Sequence, residues 1–191
     1  MKCPQYVKVG DKQYKINTDF RIAIECNRIA QDETIGDFER ALAIIYTLFG
    51  EEALNDSDNY EKLLELAKKY LSCGIEVEDT KEEPDMDYIQ DMPLIEASFM
   101  SDYHIDLANT EMDWWKFNNL INGLSNSELG NCCVLNNIRN LRNYDLSKIT
   151  DAKERSKIAK AKAFWSLKKK EIKPTEEQEK NAEAFWEGMG L

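Results

Sequence analysis

Apolar and polar residues alternate on both sides of Gly10-Asp11 in YVKVGDKQYKI, residues 6–16. This period of two, interrupted by a Gly-Asp turn, predicts a small β-hairpin. Asn17, Thr18 and Asp19 follow, with side-chain oxygens that suit a helix cap, and FRIAIECNRI predicts that helix over residues 20–29. Strand signals therefore end at about residue 17, and the chain beyond has helical patterns.

Apolar residues that recur every three or four positions predict two further helices. The first starts near Thr34 and Asp37 and ends at Gly50. Its predicted inward residues are Phe38, Ala41, Leu42, Ile45 and Phe49. The second follows Asp58 as its cap and ends at Cys73-Gly74, with predicted inward residues Tyr60, Leu63, Leu64, Ala67 and Leu71. The acidic segment 75–85, which contains Pro84, then predicts an exposed loop.

The segment 85–124 concentrates aromatic and apolar side chains at two helical periods. Pro93 suits the first turn of a helix, whose apolar side contains Ile89, Leu94 or Ile95, Phe99 and Tyr103. The next helix has its apolar residues at Trp114, Phe117, Leu120, Ile121 and Leu124. We expect these two helices to pack on each other. A further helix is predicted from about Ser127 to Arg142, with Leu129, Cys132 or Cys133, and Ile138 facing inward.

Near its end the chain repeats a short motif. Ala163-Phe164-Trp165 recurs as Ala184-Phe185-Trp186 twenty-one residues later, which is three heptads. Pro174 predicts a break between a basic helix and a short acidic one. The predicted fold class is thus mainly α, a compact multi-helix domain with an N-terminal hairpin over residues 1–147 and a helical extension over residues 148–191.

Charge is distributed unevenly over the 191 residues. The net charge is -11, but residues 148–173 hold ten Lys/Arg against three Asp/Glu, and residues 1–147 are strongly acidic. An acidic body repels phosphate, so a nucleic-acid role could rest only on the basic stretch KIAKAKAFWSLKKK. A solvated helix face against acidic surface is the interpretation that we favour for these lysines.

Composition indicates a soluble protein of the cytoplasm. The chain is 42% hydrophobic and 32% charged, has no run of about 18 apolar residues, and begins without the apolar core of a signal peptide. The five cysteines, Cys3, Cys26, Cys73, Cys132 and Cys133, lack CxxC spacing. We therefore expect free thiols in a reducing compartment rather than disulfides or a zinc site.

The sequence offers little catalytic chemistry. His104 with nearby Asp106 could be a base and its orienting carboxylate, but a histidine at a helix end beside a turn aspartate is the favoured interpretation. The chain contains no EF-hand loop, HExxH or GxGxxG motif, and its 36 acidic residues are scattered. We predict a protein that is not an enzyme, with no catalytic, cofactor-binding or metal-binding residues.

Aromatic residues are the better candidates for a binding function. Adjacent residues on a helix point about 100° apart, so one Trp of a pair usually faces the core, and we expect that of Trp114. For Trp165 and Trp186 an intermolecular contact is nearly as plausible as an internal one. The predicted partner-binding residues are Phe164, Trp165, Phe185, Trp186, Lys162 and Lys168.

An ordered series of motifs, INTDFRIAIECNRI, ASFMSDYHIDL, DWWKFNNLINGL, NNIRN and YDLSKI, resembles the bacteriophage family named after gene product fifteen, over residues 5–170. The family-motif positions expected to be structural include Phe99, Tyr103, Asp106, Trp114, Trp115 and Phe117. His104 stands where the family pattern favours a glycine. Met112 and Asp113 stand where a leucine and a histidine are usual.

The resemblance implies a non-catalytic tail-assembly protein of long-tailed phages and prophages. It implies a chaperone that keeps the helices of the tape-measure protein soluble in the host cytoplasm, and it allows a homo-oligomer. A small nucleic-acid-binding or regulatory protein of a mobile element remains the alternative, and an enzyme with an unrecognised carboxylate site is a third reading.

Overall fold

The computed structural model describes residues 2–75, 84–126 and 132–168. These ranges are mainly helical, as predicted, with a hairpin followed by helices. The hairpin comprises β1 (Tyr6–Val9) and β2 (Lys12–Lys15). The helices are α1 (Phe20–Ala30), α2 (Asp37–Phe49), α3 (Glu51–Leu54), α4 (Tyr60–Leu71), α5 (Met92–Tyr103), α6 (Trp114–Asn122), α7 (Val134–Asn143) and α8 (Ala152–Phe164), with short 3-10 turns at Ser57–Asn59 and Leu146–Lys148.

The predicted hairpin is confirmed. β1 and β2 pair antiparallel, with Val9 opposite Lys12. Gly10 has a φ of 60°, a left-handed conformation that glycine adopts without steric cost. Val9 and Tyr14 are buried while Tyr6 is exposed, so the alternation of the sequence gives the hairpin one face towards the helices.

The starts of α1 and α6 lie side by side. Asp19 caps α1 by accepting a hydrogen bond from the Arg21 amide at 2.8 Å. The Phe20 amide donates to the Met112 carbonyl at 3.1 Å, and the Trp114 amide donates to the Thr18 carbonyl at 2.8 Å. These two backbone bonds bring the first residues of both helices into the same part of the core.

Phe117 occupies the middle of an aromatic cluster in this core. Its ring centroid lies 4.4 Å from that of Phe20, 5.3 Å from Phe99 and 5.8 Å from Trp114. Phe117 and Phe99 are fully buried. Their stacking confirms that α5 packs on α6, and Trp114 faces the core as predicted.

The exposed start of α2 corrects the prediction for Phe38. The inward residues of α2 are Ile44, Ile45, Leu48 and Phe49, whereas 63% of Phe38 is exposed. The first turn of α2, residues 37–39, is exposed throughout. A helical period indicates which side of a helix is apolar, but not how far along the helix the neighbouring elements cover it.

Two predicted boundaries also differ. Asn59 occupies the N-cap position of α4, and Asp58 lies in the preceding 3-10 turn. α7 begins at Val134 after Cys133 as its N-cap, later than the predicted start at about residue 127. Leu129, residues 76–83 of the predicted loop and the predicted break at Lys173-Pro174 lie outside the described residues, whereas Cys133 and Ile138 are buried as expected.

Asp56 joins the hairpin to the start of α4. Its carboxylate accepts hydrogen bonds from the Tyr14 hydroxyl, from Lys12 Nζ at 2.9 Å and from Asn59 Nδ2 at 2.8 Å. These bonds, that of Tyr14 first, lower the pKa of Asp56 to about 2. Burial, followed by the hydrogen bond to Asp56, raises the pKa of Tyr14 to about 12.

The lowered pKa of Asp56 predicts a loss of stability in acid. The ionised carboxylate stabilises the fold fully above the pKa of about 3.9 that an unfolded chain gives aspartate. That contribution is lost as the pH falls towards the folded pKa of about 2. Asp56→Asn should lower the urea midpoint at pH 7 and flatten its dependence on pH between 4 and 2.

Urea unfolding followed by circular dichroism at several pH values tests this. Asp58→Asn is the matched control, because Asp58 is an exposed carboxylate two residues away. The control should keep both the midpoint at pH 7 and the acid dependence. Equal acid dependence in Asp56→Asn and the unsubstituted protein would contradict the assignment.

Candidate functional site

α8 is the candidate site's main element, and none of its residues is buried. Asp151 caps it by accepting a hydrogen bond from the Glu154 amide at 2.7 Å. Between its caps, ERSKIAKAKAF combines a high content of lysine with alanine, which favours a helix even without a buried face. The predicted basic helix is therefore present, packed on α7.

Phe164 and Trp165 lie at the exposed end of α8. Phe164 is 78% exposed and Trp165 is 36% exposed. Their ring centroids are 5.2 Å apart in a T-shaped arrangement. An aromatic pair with this much exposed apolar surface is typical of an interaction site. Phe185 and Trp186 of the predicted set lie outside the described residues.

The two predicted lysines contact the body of the protein. Lys162 Nζ donates to the Tyr144 carbonyl at 2.9 Å. The Lys168 amide donates to Gln90 Oε1 at 2.9 Å, and its carbonyl accepts from Gln90 Nε2 at 3.1 Å. The structure thus brings both residues to the same end of the molecule as Phe164 and Trp165, where they help to position the segment.

Arg142 fastens the end of α8 to the helical body. Its guanidinium forms two hydrogen bonds of 2.7 Å with the Asp91 carboxylate at the start of α5. It also donates to the carbonyls of Trp165 at 2.7 Å and Asp85 at 2.8 Å. The side chains of Arg142 and Asp91 are 10% and 3% exposed, so this ion pair is shielded from solvent.

The Trp-Trp motif serves the fold. Trp114 Nε1 donates to the Leu71 carbonyl at 2.9 Å, and Trp115 Nε1 donates to the Tyr70 carbonyl at 3.1 Å. Both acceptors lie in the last turn of α4, where carbonyls have no partner within the helix. The Tyr70 carbonyl also accepts a hydrogen bond from the Cys73 amide, beyond the helix, at 3.0 Å. The two adjacent indoles therefore cap α4, which gives both tryptophans of the motif a structural role.

The other motif positions also have structural contacts. The Tyr103 hydroxyl donates to the Leu120 carbonyl at 2.9 Å, and a Cβ at Gly123 would lie 2.9 Å from that hydroxyl. Asp106 accepts from the Ala108 amide at 3.0 Å and from Asn109 Nδ2 at 2.7 Å, bonds that lower its pKa. These residues shape the ends of α5 and α6 and the turn between them.

His104 ends α5 in the left-handed region, with a φ of 55°. Glycine is favoured at this position because it has no Cβ to clash. The interpretation as a helix-terminal histidine is therefore confirmed. The left-handed conformation also explains why the family pattern favours a glycine at position 104.

The described residues contain no cluster of three or more His, Cys, Asp or Glu that could hold a metal ion. Within those ranges, no helix is both long and apolar enough to cross a membrane. Cys3, Cys26 and Cys133 are buried thiols, and burial raises the pKa of Cys26 to about 12.

An open depression of about 640 Å³ lies between α5 and the start of α7. Its Asp102 accepts a hydrogen bond from the Ser125 amide at 2.8 Å.

Sequence reasoning missed the Arg142–Asp91 pair and the exposed apolar residues of α2. Arg139 and Arg142 stand one helical turn apart in NNIRNLRN, and Asp85 and Asp91 stand close together in a distant segment. That local spacing is the signal that could have suggested an ion-pair cluster. The pairing itself joins residues 51 positions apart, which a single sequence does not specify.

Residues 2–167 match the sequence family described as Bacteriophage Gp15 protein, and the chain therefore belongs to that family. The match extends through α8 to Trp165 and confirms the resemblance found in the motifs. No curated protein and no solved structure matches the chain.

Proposed function

We propose that this phage protein is a non-catalytic tail-assembly chaperone that binds the tape-measure protein in the host cytoplasm. Membership of the bacteriophage Gp15 family supports the phage setting. The observation that carries the proposal is the exposed Phe164–Trp165 pair at the end of α8. The terminal Phe185 and Trp186 are proposed to take part in the same contact.

A long helix with an apolar side is a client that the exposed Phe164–Trp165 pair could bind. A long helix with an apolar side needs a partner that covers that side until it is assembled, and aromatic anchors supply such cover with few rotatable bonds. Arg142 and Gln90 hold the backbone of residues 165 and 168 against the body. The binding segment is thus ordered in the free protein, which reduces the conformational entropy lost on binding the client.

Substitution of both aromatic residues tests the proposal. Phe164→Ala/Trp165→Ala should weaken binding of the co-expressed tape-measure protein by about tenfold or more, because truncating an interface anchor costs on the order of 2 kcal/mol. Arg142 binds the backbone oxygen of Trp165, so this substitution leaves that hydrogen bond possible. The measurement is co-purification from cells, followed by titration with the purified proteins.

Tyr6→Ala is the matched control, since Tyr6 is a 53% exposed aromatic residue on the hairpin. It should bind the client normally. Phe185→Ala/Trp186→Ala, made separately, reports on the second aromatic pair. Unchanged client binding in both aromatic variants would remove α8 and the terminal pair from the contact.

Nucleic acid is the second candidate partner, because the basic side of α8 is exposed. Phosphate binding would weaken steeply between about 50 and 200 mM salt, whereas an aromatic contact would change little. Titration of duplex DNA and of single-stranded RNA at both salt concentrations separates the two functions.

A further inference from the structure

Exposed apolar residues form a stripe along one side of α2. We define this α2 stripe as Phe38, Leu42 and Tyr46, together with Ile35 in the preceding turn. Phe38, Leu42 and Tyr46 follow one another at four-residue intervals, the ridge that helices use when they pack. Phe38 is 63% exposed, Tyr46 55% and Ile35 36%, while Leu42 is half-buried.

Acidic residues precede, interrupt and follow the α2 stripe along the chain. Residues 31–59 contain eight Asp/Glu and one basic residue, Arg40. Arg40 is itself engaged, since its guanidinium contacts the Asp37 carboxylate and donates to the Asp32 carbonyl at 2.7 Å. The exposed acids of this segment are Glu33, Asp37, Glu39, Glu51, Glu52 and Asp58. A matching partner would carry an apolar residue among positive charges.

α8 has this complementary pattern. Lys153, Lys157, Lys160 and Phe164 are all exposed and follow the i, i+4, i+7, i+11 spacing of one helix side. Three ammonium groups thus lie in line with the most exposed aromatic ring of the described residues. This row spans eleven residues, about 16 Å at 1.5 Å each, and the helical part of the α2 stripe, Phe38 to Tyr46, spans eight residues or about 12 Å.

Within one molecule the two surfaces do not cover each other. Phe38 and Phe164 are the two most exposed aromatic side chains of the described residues. α2 packs mainly on α1, α3 and α4, whereas α8 packs on α7 and the neighbouring 3-10 turn. Arg142 and Gln90 fix the end of α8 at this position.

We propose that α8 of one molecule binds the α2 stripe of a second copy of this chain. Phe164 packs against Phe38 and Leu42, so that the second copy and the proposed client compete for this ring, while the α8 lysines lie next to the acids that flank the stripe. If each molecule gives its α8 to the other, the contact is reciprocal and closes into a two-fold dimer. Two short helix contacts bury less than a standard obligate interface, so the dimer is weak and forms with rising concentration.

The test uses the purified full chain alone, so its result is independent of any client. Sedimentation velocity over a range of concentrations should show the mass rising from 22.2 kDa towards twice that value. Phe38→Asp, which places a charge in the α2 stripe, should weaken association at least tenfold. Lys157→Glu/Lys160→Glu, which reverses charge on α8, should do the same.

Mixing the two variants gives the decisive observation. Phe38→Asp retains an intact α8, and Lys157→Glu/Lys160→Glu retains an intact α2 stripe. The 1:1 mixture should therefore associate through one contact more strongly than either variant alone. Met100→Asp, at a 47% exposed apolar position on α5, is the control and should associate normally.

Three results would overturn the proposal. The first is an unsubstituted chain that stays monomeric throughout the concentration range. The second is association that neither variant reduces, or a mixture that stays as weak as its components. The third is a Phe38→Asp variant that self-associates normally but loses client binding, because the stripe would then belong to the client.

Discussion

Phe117→Ala is expected to lower the free energy of unfolding by about 3–5 kcal/mol, the usual cost of truncating a buried phenylalanine. Phe117 is fully buried, and its ring contacts Phe20, Phe99 and Trp114 from three different parts of the chain. Its removal leaves a cavity that rigid aromatic neighbours cannot fill. The loss is a large share of the 5–15 kcal/mol typical of a folded domain.

Urea unfolding measures this effect, and Phe164→Ala is the matched control. Both substitutions remove the same atoms, but Phe164 is 78% exposed. A change within about 0.5 kcal/mol is expected for the exposed site. A loss below about 1 kcal/mol for Phe117→Ala would mean that the cluster at the meeting point of α1, α5 and α6 does not support the fold.

Short-range patterns predicted the elements of this protein well. The Gly10-Asp11 turn, the Asp19 cap and the periods around Phe99 and Phe117 each depend on residues within about one or two helical turns. Their physical determinants, namely turn geometry, capping and amphipathic spacing, are encoded locally. The hairpin, α1, α5 and α6 are accordingly found where the sequence predicts them, except that Ile89, predicted on the apolar side of α5, precedes that helix and is 46% exposed.

The wrong predictions are those in which the environment of a residue depends on a distant part of the chain. Phe38 has the correct spacing for an inward residue of α2, yet 63% of it is exposed. Asp58 has the chemistry of a cap, but Asp56 is the residue that meets Tyr14 and Lys12. Both outcomes depend on where another part of the chain lies, which periodicity does not encode.

The position of the candidate site along the chain was predictable from the sequence. The contacts that attach α8 to the rest of the protein were not. The charge change after residue 147 and the Phe164-Trp165 pair identified α8 from the sequence alone. Its attachment through Arg142 was not predictable, because Asp91 and Trp165 lie 51 and 23 positions away. The spacing of Arg139 and Arg142 suggests an ion-pair cluster, but a basic residue on a helix is usually solvated, and nothing local identifies Asp91 as the partner of Arg142.

Arg142→Ala is the second substitution with a large expected effect. It removes one partner of a shielded ion pair and leaves the Asp91 carboxylate, 3% exposed, without its two charged hydrogen bonds. Loss of one partner from such a pair costs about 3–5 kcal/mol. Arg142→Lys should restore only part of this, because a single ammonium group cannot replace the planar guanidinium fork.

Arg28→Ala is the control, since Arg28 pairs with Glu25 at 2.7 Å while both side chains are more than 40% exposed. Exposed pairs contribute about 0–1 kcal/mol, so the urea midpoint should hardly change.

Hydrogen exchange adds a readout specific to the site. In Arg142→Ala the amides of residues 161–168 should exchange faster at urea concentrations where the fold is intact, because the Trp165 carbonyl loses its anchor. If these amides keep their protection while global stability falls, Arg142 supports the α5–α7 contact alone, and α8 holds its position through Gln90 and Lys162.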